Sequence, residues 1–341
     1  MIHLEVDSCV KKINDLAFYA HRQLESVRVR WGVDFSWGLE EIGDRAFHQC
    51  TSLTNVQLGE RLVKIGEEAF RECTSLPAII IPPLVQMIPR MAFMNCTSLT
   101  DVQLPVDLED IEEKAFQHCI SLRAIIIPPL VTAIYETAFG NCTSLENVDL
   151  PQGLERFGRE VFRQCESLQS IAIPPLLNKI PYQAFYSCTS LITVELPQGL
   201  EKIEKAAFQN CTALTNVLLP QGLKEIAQAS FKNCTSLENV VLSKGLKKIM
   251  REAFFNCTSL QDVEFPQGLE KIGWGAFKQC SSLSAMVIPP SLVEIKDCSF
   301  KNCPRLERVK FCEEIEVFVS ASSMSVWRNC REFMTLTLSI Y

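Results

Sequence analysis

The chain has 341 residues, 47% of them apolar, and a formal net charge of −7. That apolar share excludes a disordered chain. The acidic balance disfavours a nucleic-acid binder, because phosphate neutralisation needs clustered Lys and Arg, and the only basic run is the short Lys-Gly-Leu-Lys-Lys stretch at 244–248.

Residues 1–12 mix Glu5, Asp7 and two lysines with isolated apolar residues, which is not the hydrophobic region of a secretion signal. No stretch reaches the ~18 apolar residues of a membrane span. Next, Ile13, Phe18, His21, Leu24, Val27 and Val29 carry the spacing of a pattern that becomes regular further on. Six residues are inserted around 31–37, and then a comb begins. Cys50, Cys73, Cys96, Cys119, Cys142, Cys165, Cys188, Cys211, Cys234, Cys257, Cys280 and Cys303 stand 23 residues apart without a slip. Phe precedes each by three residues and Leu follows each by three. A fixed period of roughly 20–50 residues marks a solenoid.

Within one coil, counted from its cysteine, Val or Ile stands at +6, with Met286 the exception, and Leu, Ile or Phe at +8. That alternation predicts a short half-buried strand. Proline usually follows at +9 and ends the strand ladder. The +12 and +15 apolar positions return along the other side. The segment before Phe, such as Glu204-Lys205-Ala206-Ala207, suits one turn of α- or 3₁₀-helix. The cysteines recur at one place in the coil, so neighbours stand about 4.8 Å apart with parallel Cβ directions. A disulfide needs converging Cβ atoms, so the comb reads as a buried ladder of free thiols, which fits a reducing compartment. At the C-terminal end, Trp327 and Cys330 mimic the Phe-x-x-Cys pair, with Phe333, Leu336 and Leu338 completing a last strand. A Cys312–Cys330 disulfide is an alternative there in an oxidising setting.

The Ala-Phe-x-x-Cys-x-x-Leu units over about residues 36–311 resemble the leucine-rich repeats of the bacterial-surface-protein (BspA-like) class. The resemblance implies a curved, right-handed α/β solenoid with the parallel sheet on its concave face. Helical or 3₁₀ turns would lie on the convex side. Members of the class are commonly interaction or adhesion modules, many on cell surfaces. The expected organisation is one solenoid domain over 1–341 of about 14 coils, with degenerate capping coils at 1–35 and 312–341.

With +6 and +8 inward, +5 and +7 point outward. Apolar residues recur there at Ile80, Ile126, Leu218, Val241 and Val287, and acidic ones at Asp149, Glu195, Asp262 and Glu264. These nine are the candidate partner-binding residues, since contiguous apolar surface marks interaction sites. The competing reading is that Ile and Val are strand formers copied along with their repeat. No motif for a catalytic site, cofactor or metal stands out: the four histidines are scattered and no Cys-x-x-Cys occurs. Five Asn-Cys-Thr triplets, at Asn95, Asn141, Asn210, Asn233 and Asn256, match the glycosylation acceptor pattern. Without a secretion signal they are expected to stay unmodified, with each Asn bonding the backbone of its turn. The sequence therefore points to a non-catalytic, monomeric, intracellular scaffold for a protein partner. The alternative is a secreted or cell-surface adhesin.

Overall fold

The computed structural model describes residues 2–30, 38–311 and 315–318. The expected insertion at 31–37, Cys312, and the expected cap residues Trp327, Cys330, Phe333, Leu336 and Leu338 lie outside them. The chain divides into two compact units, Met1–Leu176 and Leu177–Tyr341. Each is a parallel-strand solenoid.

The +5 to +7 residues form the expected strands. In the first unit Ala78–Ile80 pairs with Asp101–Gln103, and Ala124–Ile126 with Asn147–Asp149, parallel and residue for residue. In the second unit Asn216–Leu218 pairs with Asn239–Val241, and Asp262–Glu264 with Ala285–Ile288. Each three-residue strand buries its central residue and exposes both neighbours. A second row of two-residue strands runs through +14 and +15, as in Lys202–Ile203 beside Glu225–Ile226. Sequence reading took this segment only as a return path. Two end strands were also not anticipated. Ile2–Val6 pairs parallel with Leu24–Val29, and Ile315–Phe318 pairs antiparallel with Arg308–Phe311.

The core is a set of columns, each one residue type deep. Phe rings stack face to face with centroids 5.3–5.5 Å apart from Phe18 to Phe162 in the first unit. From Phe185 to Phe300 in the second the separations are 5.1–5.4 Å. Beside them the thiols are free and buried from Cys50 to Cys303. The thiols donate to carbonyls of the preceding coil. Cys73 donates to the Phe47 carbonyl at 3.1 Å and Cys234 to the Phe208 carbonyl at 3.2 Å.

The expected helical or 3₁₀ turns do not form: no helix exists among the described residues. The hydrogen bonds give the reason. Along 45–50, alternate amides bond within the coil: Ala46 N–H to Gly43, His48 N–H to Arg45, Cys50 N–H to Phe47. The amides between them bond to the next coil: Arg45 N–H to Glu67, Phe47 N–H to Ala69, Gln49 N–H to Arg71, each 2.8 Å. A helix would need every amide turned inward. Alternation is achieved by putting the residues at −5 and −1 in the left-handed region, with φ between 51° and 66° in coil after coil. Two such residues per coil interrupt any helix.

Candidate functional site

The nine candidate residues all lie on the outward side of the strand rows, divided between the two units. In the first unit, Ile80 and Ile126 are 62% and 74% exposed. Ile126 stands beside Asp149 in register, and Ile80 beside Gln103. Gln103 lies between the two isoleucines in strand order, so they are not direct neighbours.

The second unit brings its candidates closer together. Leu218 and Val241 are register partners, 65% and 58% exposed. Glu264 registers with Val287, and Asp262 with Ala285. Glu195 precedes Leu218 by one strand in the same outward file. Alongside this file the Asn239 amide donates to the Asn216 side-chain carbonyl at 3.0 Å, and the Ser284 hydroxyl donates to Asp262 at 2.9 Å.

Sequence reading missed a second set of bare aliphatics. Leu84, Leu130 and Leu176 are 52–57% exposed on the turn after the strand, and Val106 is exposed at a similar turn. The signal was present in the recurring Ile-Pro-Pro-Leu, whose leucine falls one residue short of the buried +12 position.

The turn side carries ordered polar structure. The asparagine side chains of the second unit bond to one another rather than to backbone. Asn233 Nδ2 donates to Asn210 Oδ1 at 2.8 Å, and Asn256 Nδ2 to Asn233 Oδ1 at 3.1 Å. This corrects the expectation that they bond their own turns. Near the start of the first unit, Glu68 is buried against Arg45 and Arg71. Its pairing with Arg45 holds the carboxyl below the usual range. Burial, with Arg71 nearby, pushes the His48 imidazole down, so it stays neutral at pH 7. His48 Nδ1 lies 3.5 Å from Glu68 and makes no hydrogen bond. Among the described residues no three His, Cys, Asp or Glu side chains form a group that could hold a metal. No helix there is long and apolar enough to cross a membrane.

The model of the BspA-type leucine-rich repeat region matches residues 11–146, 86–215, 132–249 and 201–333. The chain belongs to the BspA-type leucine-rich repeat family. Solved structures similar to it include two bacterial proteins. One is a leucine-rich repeat protein from Bacteroides ovatus, 29% identical, with a TM-score of 0.62, covering 88% of this chain and 86% of that one. The other is a leucine-rich cell surface protein from Faecalibacterium prausnitzii, 25% identical, with a TM-score of 0.54, covering 91% and 90%. No functionally curated protein matches the chain. Each BspA-type repeat adds one strand to each row, so residues at one position of the repeat stand in a file.

Proposed function

We propose that this BspA-type repeat protein is a non-catalytic scaffold that binds a protein partner on the outward faces of its strand rows. The observation that carries this is the exposure of Ile80, Ile126, Leu218 and Val241, each 58–74% exposed at a position where five other coils carry Gln, Asp or Glu. The buried +6 strand formers beside them are Ile79, Ile125, Val217 and Val240. An exposed β-branched or leucine side chain contributes most when a partner covers it.

The test is a pull-down from native lysate with mass-spectrometric readout. Wild type is compared with Ile80→Glu/Ile126→Glu and with Leu218→Glu/Val241→Glu, after circular dichroism shows that both variants are folded. Loss of the same partner from either variant supports the reading. Identical partners from all three proteins refute it.

We read the working form as a monomer in a reducing compartment, because buried thiols fill the comb. A second reading is favoured by the likeness to the F. prausnitzii cell surface protein: a surface or secreted form with extracellular ligands. Intact mass of native material, with and without reductant, separates the two. The first requires the unmodified mass. The second requires glycan on the Asn-Cys-Thr triplets or a bonded Cys312–Cys330 pair.

A further inference from the structure

We propose that the strand face of the second unit receives a basic peptide segment, in which one or two aliphatic side chains are bracketed by Lys or Arg. This rests on the scaffold reading above and adds the chemistry of the partner.

Charge is the first argument. Over the five strands from Thr193–Glu195 to Ala285–Ile288, the +4, +5 and +7 positions hold Glu195, Glu238, Asp262 and Glu264. No Lys, Arg or His stands at any of those positions. Among the described residues none of the four carboxylates is in an ion pair. Away from this face several lysines of the unit are matched: Lys247 meets Glu270 at 3.1 Å, Lys271 meets Glu294 at 2.8 Å, and Lys232 meets Glu252 at 2.7 Å. At the far end, Arg308–Phe311 pairs in register with Ala285–Ile288. The strand face of the first unit differs. It mixes Glu25, Asp101, Glu146 and Asp149 with Arg28 and Arg123, and so selects no sign of partner.

Geometry is the second argument. Glu195, Leu218, Val241 and Glu264 occupy four successive strands in one outward file. At about 4.8 Å per strand, the two glutamates stand roughly 14 Å apart with the aliphatic pair between them. An extended peptide rises ~3.4 Å per residue, so about four residues span the gap. The pattern it selects has cations about four residues apart around Ile, Leu or Val. An acidic partner would bury carboxylate against carboxylate, and an uncharged one would desolvate four carboxylates without a counter-charge. A second copy laid face to face would do the same, which argues against self-association through this surface.

The test pans a library of displayed peptides of about twelve residues against the intact chain. The winning sequence is then synthesised, and its Kd is measured at about 50 and about 500 mM salt, where screening lengths differ severalfold. The proposal expects Lys or Arg bracketing aliphatic residues and a Kd that rises about tenfold or more with salt. It also expects an about tenfold or larger loss in Glu195→Gln/Asp262→Asn/Glu264→Gln, since exposed ion pairs contribute roughly 1.4- to 5-fold each. Circular dichroism of that variant should be unchanged. Winners that are acidic or uncharged, a salt-insensitive Kd, wild-type binding by the triple variant, or no enrichment over blank beads would overturn it. The two readings fail differently. A native partner lost from Leu218→Glu/Val241→Glu but held by the triple amide variant leaves the scaffold reading standing and removes the basic-partner inference.

Discussion

The Phe47 carbonyl shows what the comb cysteine does. It accepts the Cys50 amide at 3.2 Å and the Cys73 thiol at 3.1 Å, using both lone pairs. The thiol is small, apolar enough for a dry interior, and still a donor. Burial pushes the Cys96 and Cys142 thiols up to about 12, and Cys50 to about 11. The unfolded chain releases those protons near 9, so above that pH it binds fewer protons than the folded state. The thiols' contribution to stability is therefore complete below pH ~9 and is lost as pH climbs toward ~12. The loss is about 1.4 kcal/mol per pH unit for each thiol in that window. Denaturation midpoints should fall steeply between about pH 9 and 11, and less steeply in Cys96→Val/Cys142→Val. A flat profile in wild type would show that the ladder is not buried. The stacked Phe column gives a second expectation. Phe208→Ala removes a ring packed on Phe185 and Phe231, both at 5.3 Å, and should cost about 3–5 kcal/mol in guanidinium melts.

At the scale of the element, the left-handed turn is the costly part of each coil. Asn holds the −1 position often, and Asn tolerates that region. Thr137 is the outlier: a β-branched residue at φ 55°. Its Cγ2 lies 2.4 Å from where a Cβ on Gly140 would sit, so the two residues are matched. Gly140→Ala should destabilise by about 1–3 kcal/mol through overpacking. In a Thr137→Gly background the same change should be nearly neutral, because the methyl is gone and φ is relaxed. Thermal melts of the four proteins in that cycle decide it, and equal costs in both backgrounds would refute the coupling. These turns also mark where the sequence stops being legible. Strands at +5 to +7 and the Phe, Cys and Leu columns follow from apolar spacing, because burial writes itself into residue type. The turn does not. Its form depends on which amides leave the coil, and Glu204-Lys205-Ala206-Ala207 has helical propensity that inter-coil bonding overrides. The +14/+15 strands are equally hidden, since two residues cannot show a period. Ile80, Ile126, Leu218 and Val241 were legible as outward by parity alone, whereas the bare Leu84 and Leu130 were not, because turns break parity.

For the molecule as a whole, the consequence is modularity within each unit. A coil bonds only to the coils before and after it, so its stability is a sum of local and nearest-neighbour terms. Removing residues 212–234 joins Cys211 to Thr235 and deletes one whole period. Every column then closes over the gap: Phe208 meets Phe254, and the strand bearing Glu195 meets the one bearing Val241. This variant should fold, with far-UV circular dichroism per residue unchanged and a melting temperature only a few degrees lower. Removing residues 212–231 instead leaves the comb three residues out of step. Phe, Cys and Leu then miss their columns in the junction coil, while the later coils keep their 23-residue spacing. That variant should fold with a clearly lower melting temperature than the in-step deletion, as three surplus residues must bulge out of one coil. Equal melting temperatures for the two deletions would mean that the 23-residue register does not hold the second unit together. The in-step deletion also reads out function. It keeps Glu195 and Glu264 but shortens the span between them by one strand and removes Leu218. Basic peptides selected on the wild type should therefore bind it more weakly, while peptides with cations about one residue closer should gain.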